Sequence, residues 1–347
     1  MPSIQTRALN GITRQAIRVT YRGDMGVDKV RSRYAKLDAR IKVALPDGIS
    51  IDDLDGPPAG RWLRNRRADK RVVLYLHGGA YVVRLLNGHS MLLSRICAEL
   101  DASAFMAFYR LSPEHAFPAA PEDCLAAYRH LLDSGHAAKD IVVMGDSAGG
   151  NLALSLLHLI KREELPQPGA CVALSPMTDF AQISATWRAN ARTDPMYPVQ
   201  DVVAPQRLYL QGASPVDPVA SPYYGDLGGF PPTLVVVGGI EALRDDATGF
   251  VRKAVESGVR ARAHIWSGAP HVFMLQAFLP ESPAALNRIR QWYDDVATQS
   301  PKADDPMPYA GAIEYFDIST FSGRVRRATN DVWLQPVTRP ISPSLTQ

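Results

Sequence analysis

Apolar residues in this chain of 347 fall into two alternating rhythms. Short continuous runs come first as Arg71-Val-Val-Leu-Tyr-Leu76, then as Ala104 to Phe108, Ile141 to Met144, Ala170 to Leu174, Thr233 to Val237 and Ala263 to Trp266. Runs of this length and β-branched content read as strands covered on both faces. Between them, stretches near 87–100, 120–134, 148–163, 243–257 and 283–298 carry apolar residues at helical spacing. Such alternation predicts an α/β fold with a mostly parallel, doubly wound sheet, whose sites lie at the carboxyl ends of its strands.

Ahead of this body, residues 1 to about 40 read as one or two amphipathic helices, with Ile17, Val27, Val30, Tyr34 and Leu37 facing inward. Strand-like pieces follow at Ile41 to Ala44 and Arg61 to Leu63, separated by Pro and Gly turn chemistry. The basic run Arg61 to Arg71 reads as a solvated hairpin. The rhythm then breaks between Ser175 and Pro232, where Trp187, Met196, Tyr197, Tyr209, Leu210, Tyr223 and Tyr224 lie among many prolines. A connection that long usually carries its own structure or forms a lid. The expected organisation is an N-terminal part of a mainly helical cap at 1–45, a first core part at 46–177, a cap insertion at 178–225, a second core part at 226–300 and an extension at 301–347. Tyr309, Tyr315, Phe316, Phe321 and Trp333 make the extension too aromatic for a purely disordered tail. It is expected to pack on the body or to contact a second subunit, which leaves a homo-oligomer open.

Composition narrows the partners. The formal charge of +3, from 38 basic and 35 acidic residues, gives no field that would single out nucleic acid. No apolar run approaches the roughly 20 residues that span a bilayer, and the first residues do not read as a signal peptide. Cys97, Cys124 and Cys171 sit in apolar patterns, the usage of buried thiols in a reducing compartment. The expectation is a cytoplasmic protein that needs no metal or organic cofactor.

The chemistry centres on Ile141-Val-Val-Met-Gly-Asp-Ser147-Ala-Gly-Gly-Asn-Leu152, where a buried strand meets Gly-Asp-Ser-Ala-Gly and turns into a helix. This reads as a nucleophile elbow, which lifts the Ser147 hydroxyl above the sheet and aims the Ala148 N–H at a developing oxyanion. His77-Gly-Gly-Ala-Tyr81 follows directly on a strand, so Gly78, Gly79 and Ala80 are expected to supply further backbone donors. His271, on a loop after the last strand, is the best-placed base among eight histidines. Glu241 comes first in the turn after a strand, while Asp245 and Asp246 sit where a carboxylate can simply favour a helix dipole. Ser147, Glu241 and His271 stand in the chain order of α/β hydrolases, with Asp245 as the second candidate for the acid.

With these residues in view, the chain resembles the hormone-sensitive lipase family of α/β-hydrolase esterases, in particular its bacterial members with Gly-Asp-Ser-Ala-Gly at the elbow. The likeness covers roughly residues 70–298 and rests on His77 to Tyr81, on Tyr109-Arg-Leu-Ser-Pro-Glu-His-Ala-Phe-Pro118 with Pro121-Glu-Asp123, and on Gly145 to Asn151. It implies an α/β-hydrolase fold with a helical cap, a nucleophile at Ser147 and a base at His271. The family's acid is commonly an aspartate, so Glu241 is a departure, as is Ala80 for the last glycine of the oxyanion loop. The implied activity is hydrolysis of small to medium hydrophobic esters through an acyl-enzyme. Lactones, acetyl esters and amides stay open on the same machinery. The rival from another class is a non-catalytic binding protein like the plant gibberellin receptors, which resemble this family but lack the histidine that His271 supplies here.

Overall fold

The computed structural model describes residues 1–20, 26–191, 193–195, 203–298, 311–318 and 326–327. Its centre is one sheet. The strands are β1 (Ile49–Leu54), β2 (Gly60–Asn65), β3 (Val72–Leu76), β4 (Ser103–Ala107), β5 (Ile141–Asp146), β6 (Ala170–Leu174), β7 (Thr233–Gly238), β8 (Ala261–Trp266), β9 (Ile313–Phe316) and β10 (Arg326–Arg327), in the spatial order β1-β2-β4-β3-β5-β6-β7-β8-β9-β10. From β4 to β9 every neighbouring pair is parallel, and antiparallel partners close the two ends.

The continuous apolar runs become the interior strands because both faces of the sheet are covered. Residues 72–76 are all buried, with Val72, Leu74 and Leu76 in one core and Val73 and Tyr75 in the other. The first core is closed by α4 (Ala119–Asp133), α5 (Ala148–Arg162) and α8 (Arg244–Glu256), the second by α3 (Leu86–Leu100) and α9 (Glu281–Thr298). Each large aliphatic or aromatic side chain so buried contributes roughly 1.5–3 kcal/mol before entropy is counted.

The edges depart from expectation. Ile41 to Ala44 run as an irregular connection, and the first strand is β1, hidden from an apolar-run reading by Asp52-Asp53. Charge is what an edge strand carries to avoid pairing with other chains. The basic run beyond it supplies β2, with Trp62 and Leu63 buried between β1 and β4. At the other end the extension adds two strands, β9 and β10. Phe316 in β9 stacks on Trp266, with ring centroids 5.1 Å apart. Tyr309, Phe321, Trp333, Met196, Tyr197 and the side chain of Ile17 lie outside the described residues.

Two helices precede the sheet, α1 (Ile4–Thr20) and α2 (Val27–Asp38). Buried Glu281, at the start of α9, accepts from the Ser3 N–H at 2.7 Å, the Ser3 hydroxyl at 3.0 Å and the Thr6 hydroxyl at 2.8 Å. Asn10 adds a bond to the Gly268 carbonyl at 3.0 Å. On α2, Leu37 is 47% exposed rather than inward. The inward position belongs to Asp38, one residue and about 100° further round the helix. Its carboxylate accepts from the Asn87 and Gly88 N–H groups at 3.0 and 2.8 Å, capping α3 from a distance.

Among its described residues the insertion carries two short α-helices, α6 (Thr186–Ala189) and α7 (Val203–Leu210). Its two feet are held by Asn151 on α5, whose amide donates to the Met177 and Ala220 carbonyls at 2.9 and 2.7 Å. Asp246 on α8 holds it from the other side, accepting from the Ser184 hydroxyl at 2.6 Å and the Trp187 indole at 3.1 Å.

Candidate active site

Five adjacent parallel strands each deliver one piece of the site at their carboxyl ends. In sheet order these are the His77 loop after β3, Ser147 after β5, Ser175 after β6, Glu241 after β7 and His271 after β8.

Ser147 occupies the turn between β5 and α5 at φ +54°, ψ −117°, a conformation that costs a non-glycine residue about 1–3 kcal/mol. The turn closes only because the glycines on either side have no Cβ. A methyl at Gly149 would collide with the Leu76 carbonyl, and one at Gly145 with the Gly149 carbonyl. Ser147 Oγ lies 2.9 Å from His271 Nε2, and His271 Nδ1 lies 2.8 Å from Glu241 Oε2. Because a carboxylate only accepts, the proton sits on Nδ1 and the Nε2 lone pair faces the hydroxyl. Burial opposes charging His271, but Glu241 outweighs it, and the imidazole pKa lies above its ordinary value.

Glu241 is itself oriented. Its Oε1 accepts from the Ser175 hydroxyl at 2.7 Å and from the Gly238 N–H, and Ser175 Oγ in turn accepts from the Val272 N–H at 3.1 Å. One hydroxyl therefore fixes both the acid and the residue after the base. Asp245, the second candidate acid, is directed elsewhere: its carboxylate pairs with Arg244 at 3.1 Å and is 31% exposed.

On the oxyanion side, the expected set of donors needs one correction. The Gly78 N–H is taken by Asp146 Oδ1 at 2.8 Å, so it does not face a substrate oxygen. Gly79, Ala80 and Ala148 remain as candidates, the last at the first position of α5, where a backbone N–H has no intrahelical acceptor. Gly79 at φ +118°, Ala80 at φ +53° and Tyr81 at φ +64° make a run of left-handed residues. His77 clamps the loop. Its Nδ1 donates to the Gly78 carbonyl at 2.7 Å, its Nε2 accepts from Arg84 at 3.1 Å, and Tyr109 stacks on its ring at 4.2 Å. Burial and Arg84 push its pKa well down, so His77 is a neutral strut. From α2, Arg31 reaches the Val82 and Ser112 carbonyls, each at 2.8 Å. Tyr81, next to Ala80, stacks on Tyr209 of α7 with centroids 3.7 Å apart, which joins the loop to the insertion.

Ser175, Asn151 and Asp146 escaped sequence reading as site residues. Asn151 and Asp146 do lie within the Gly145 to Asn151 block, so their proximity to the nucleophile was the available signal. Among the described residues, no group of three or more His, Cys, Asp or Glu side chains is arranged to hold a metal ion.

An imidazole between a carboxylate and the buried hydroxyl of a residue in a strained turn is the geometry that acyl transfer uses. Residues 73–275 match the family described as alpha/beta hydrolase fold. This chain belongs to that family. An acetyl-hydrolase of Streptomyces hygroscopicus is 36% identical to this α/β hydrolase over 67% of the chain and 78% of the relative. An esterase of Acinetobacter venetianus is 32% identical over the same shares, 67% and 78%. Among solved structures, an esterase from the bacterial hormone-sensitive lipase family is 36% identical with a TM-score of 0.79, covering 86% of this chain and 99% of that one.

Proposed function

We propose that this α/β hydrolase is a serine carboxylesterase acting on small to medium hydrophobic esters. The observation that carries the reading is the unbroken line of hydrogen bonds from Glu241 through His271 to Ser147 Oγ. His271 takes the Ser147 proton as the hydroxyl attacks the acyl carbon, Glu241 stabilises the imidazolium, and Gly79, Ala80 and Ala148 hold the oxyanion. The imidazolium protonates the departing alcohol, and water activated by the same Nε2 then releases the acid. The esterase names of the relatives support the reaction class, and the Streptomyces acetyl-hydrolase supports acetyl esters as the narrower alternative. Three buried, unpaired thiols support a cytoplasmic setting. Among the described residues, no helix is long and apolar enough to cross a membrane.

The test is hydrolysis of p-nitrophenyl esters from acetate to palmitate by the wild type and by Ser147→Ala. Activity that peaks at short chains and falls in the variant to the background that binding alone gives is the expected result. Activity retained by Ser147→Ala would reject the nucleophile. Inactivity of both on every ester would move the search to lactones and amides, and then to a binding role.

A further inference from the structure

Behind the oxyanion loop lies a buried pair that the reaction scheme does not use. His89 on α3 is 1% exposed. Its Nδ1 faces the Leu85 carbonyl at 2.8 Å, and its Nε2 faces the Asp146 carboxylate at 3.3 Å from Oδ2 and 3.2 Å from Oδ1. Both neighbours accept, so only a ring protonated on both nitrogens satisfies both contacts. Asp146 spends Oδ1 on the Tyr75 hydroxyl and the Gly78 N–H, each at 2.8 Å. This one carboxylate thus ties the residue before the nucleophile to the residue before the loop donors.

Resting on the esterase reading, we infer that His89 and Asp146 form a charge-balanced buried pair that positions the oxyanion loop against Ser147. Asp146 takes the Gly78 N–H, which leaves Gly79 and Ala80 as the loop's donors for a substrate oxygen. Alone, its negative charge would oppose the charge that develops on the substrate oxygen, in a low-dielectric setting where such opposition is strongest. The His89 cation cancels it. The other groups around the pair are consistent with this. His77, its ring 5.6 Å from that of His89, is kept neutral by burial and by Arg84, Tyr75 only donates, Asp38 on α2 adds attraction for a cation, and the Arg95 charge acts on Tyr75. Burial works against both charges, yet each partner holds the other ionised, with His89 above and Asp146 below its ordinary range.

Long-range ¹H–¹⁵N correlation spectra of the intact wild type at about pH 8, above the ordinary histidine range, should show both His89 nitrogens protonated. A singly protonated ring would overturn the inference whatever the substrate. His89→Gln, Asp146→Asn and the double variant are then assayed on p-nitrophenyl acetate beside Ser147→Ala. His89→Gln should lower kcat on the order of 10- to 100-fold with KM within about threefold, because the carboxylate is left unbalanced. Asp146→Asn should cost less, since its amide oxygen still accepts from Gly78 and its NH₂ can donate to a neutral His89. The double variant should regain most of the loss. A double variant no faster than His89→Gln, or His89→Gln within about twofold of wild type, would overturn the charge balance. An inactive wild type, or an active Ser147→Ala, would instead remove the esterase reading and leave the spectra to decide on the pair.

Discussion

Ser175 carries more of the base's geometry than its place outside any motif suggests. Replacing it with alanine strips Glu241 Oε1 of a donor and leaves the Val272 N–H without its acceptor, a loss of about 1–3 kcal/mol for the buried groups left unpaired. The expected outcome of Ser175→Ala is a kcat lowered on the order of tenfold at nearly constant KM, read from steady-state kinetics. Glu241→Gln should be harsher, on the order of 10³-fold or more in kcat, because an amide can present the wrong partner to Nδ1. The sign of the pH effect follows from the raised pKa of His271. A base must be neutral, so kcat/KM should fall as pH drops through a value above the ordinary histidine figure of about 6.5. A profile flat from pH 8 down to 5 would count against His271. Ser147 and His271 were legible as candidates because each lies in a short local pattern after a strand, and the structure brings their side chains within 2.9 Å. Ser175 could not, since its hydroxyl meets Glu241 only when β6 and β7 lie side by side. Gly78 misled for a related reason: the loop's composition announces backbone donors but not which of them Asp146 takes.

Among the elements, the interior strands and the helices that cover them were legible, because burial on two faces leaves continuous apolar runs. The edge strand β1 was not, since half-exposure and edge charge erase that signal. Nor was the attachment of the insertion after β6. Asn151 follows the elbow by four residues, yet its amide fixes both feet of an insertion whose carbonyls come from Met177 and Ala220. Asn151→Ala should destabilise the fold by about 1–3 kcal/mol and raise KM for bulky esters more than for acetate, testable by thermal denaturation and by the ester series. On α2, Asp38→Ala removes a long-range cap from α3 and should lower stability by about 1 kcal/mol in denaturant titration, whereas Leu37→Ala, at an exposed position, should stay within about 0.5 kcal/mol.

For the whole molecule, buried histidines set the response to acid. His158 is pushed down to about 4 and His264 to about 3, both chiefly by burial, and His77 is also held well below its ordinary value. A histidine whose folded pKa is depressed stabilises the fold above its unfolded value and loses that contribution as pH falls toward the folded one. Below roughly pH 6.5 each such site should cost about 1.4 kcal/mol per pH unit until its folded pKa is reached. His89 and His271, with raised pKa values, are protonated when folded over this range and in the unfolded chain once the pH is well below about 6.5, so they add little to the slope there. Asp246, pushed up to about 7 chiefly by burial, acts with the opposite sign over this window and offsets one such site, so the melting temperature should still fall between about pH 6.5 and 4 under the remaining histidines. The tether of α1 also has a meaning in time. Ser3 waits for Glu281, 278 positions downstream, which at translation rates of about 5–20 residues per second is an interval of roughly 15–60 s. For the 124 positions between Ser147 and His271 the nascent chain holds an elbow with no imidazole beside it, and for most of its synthesis it holds a leading helix whose buried partner has yet to be made.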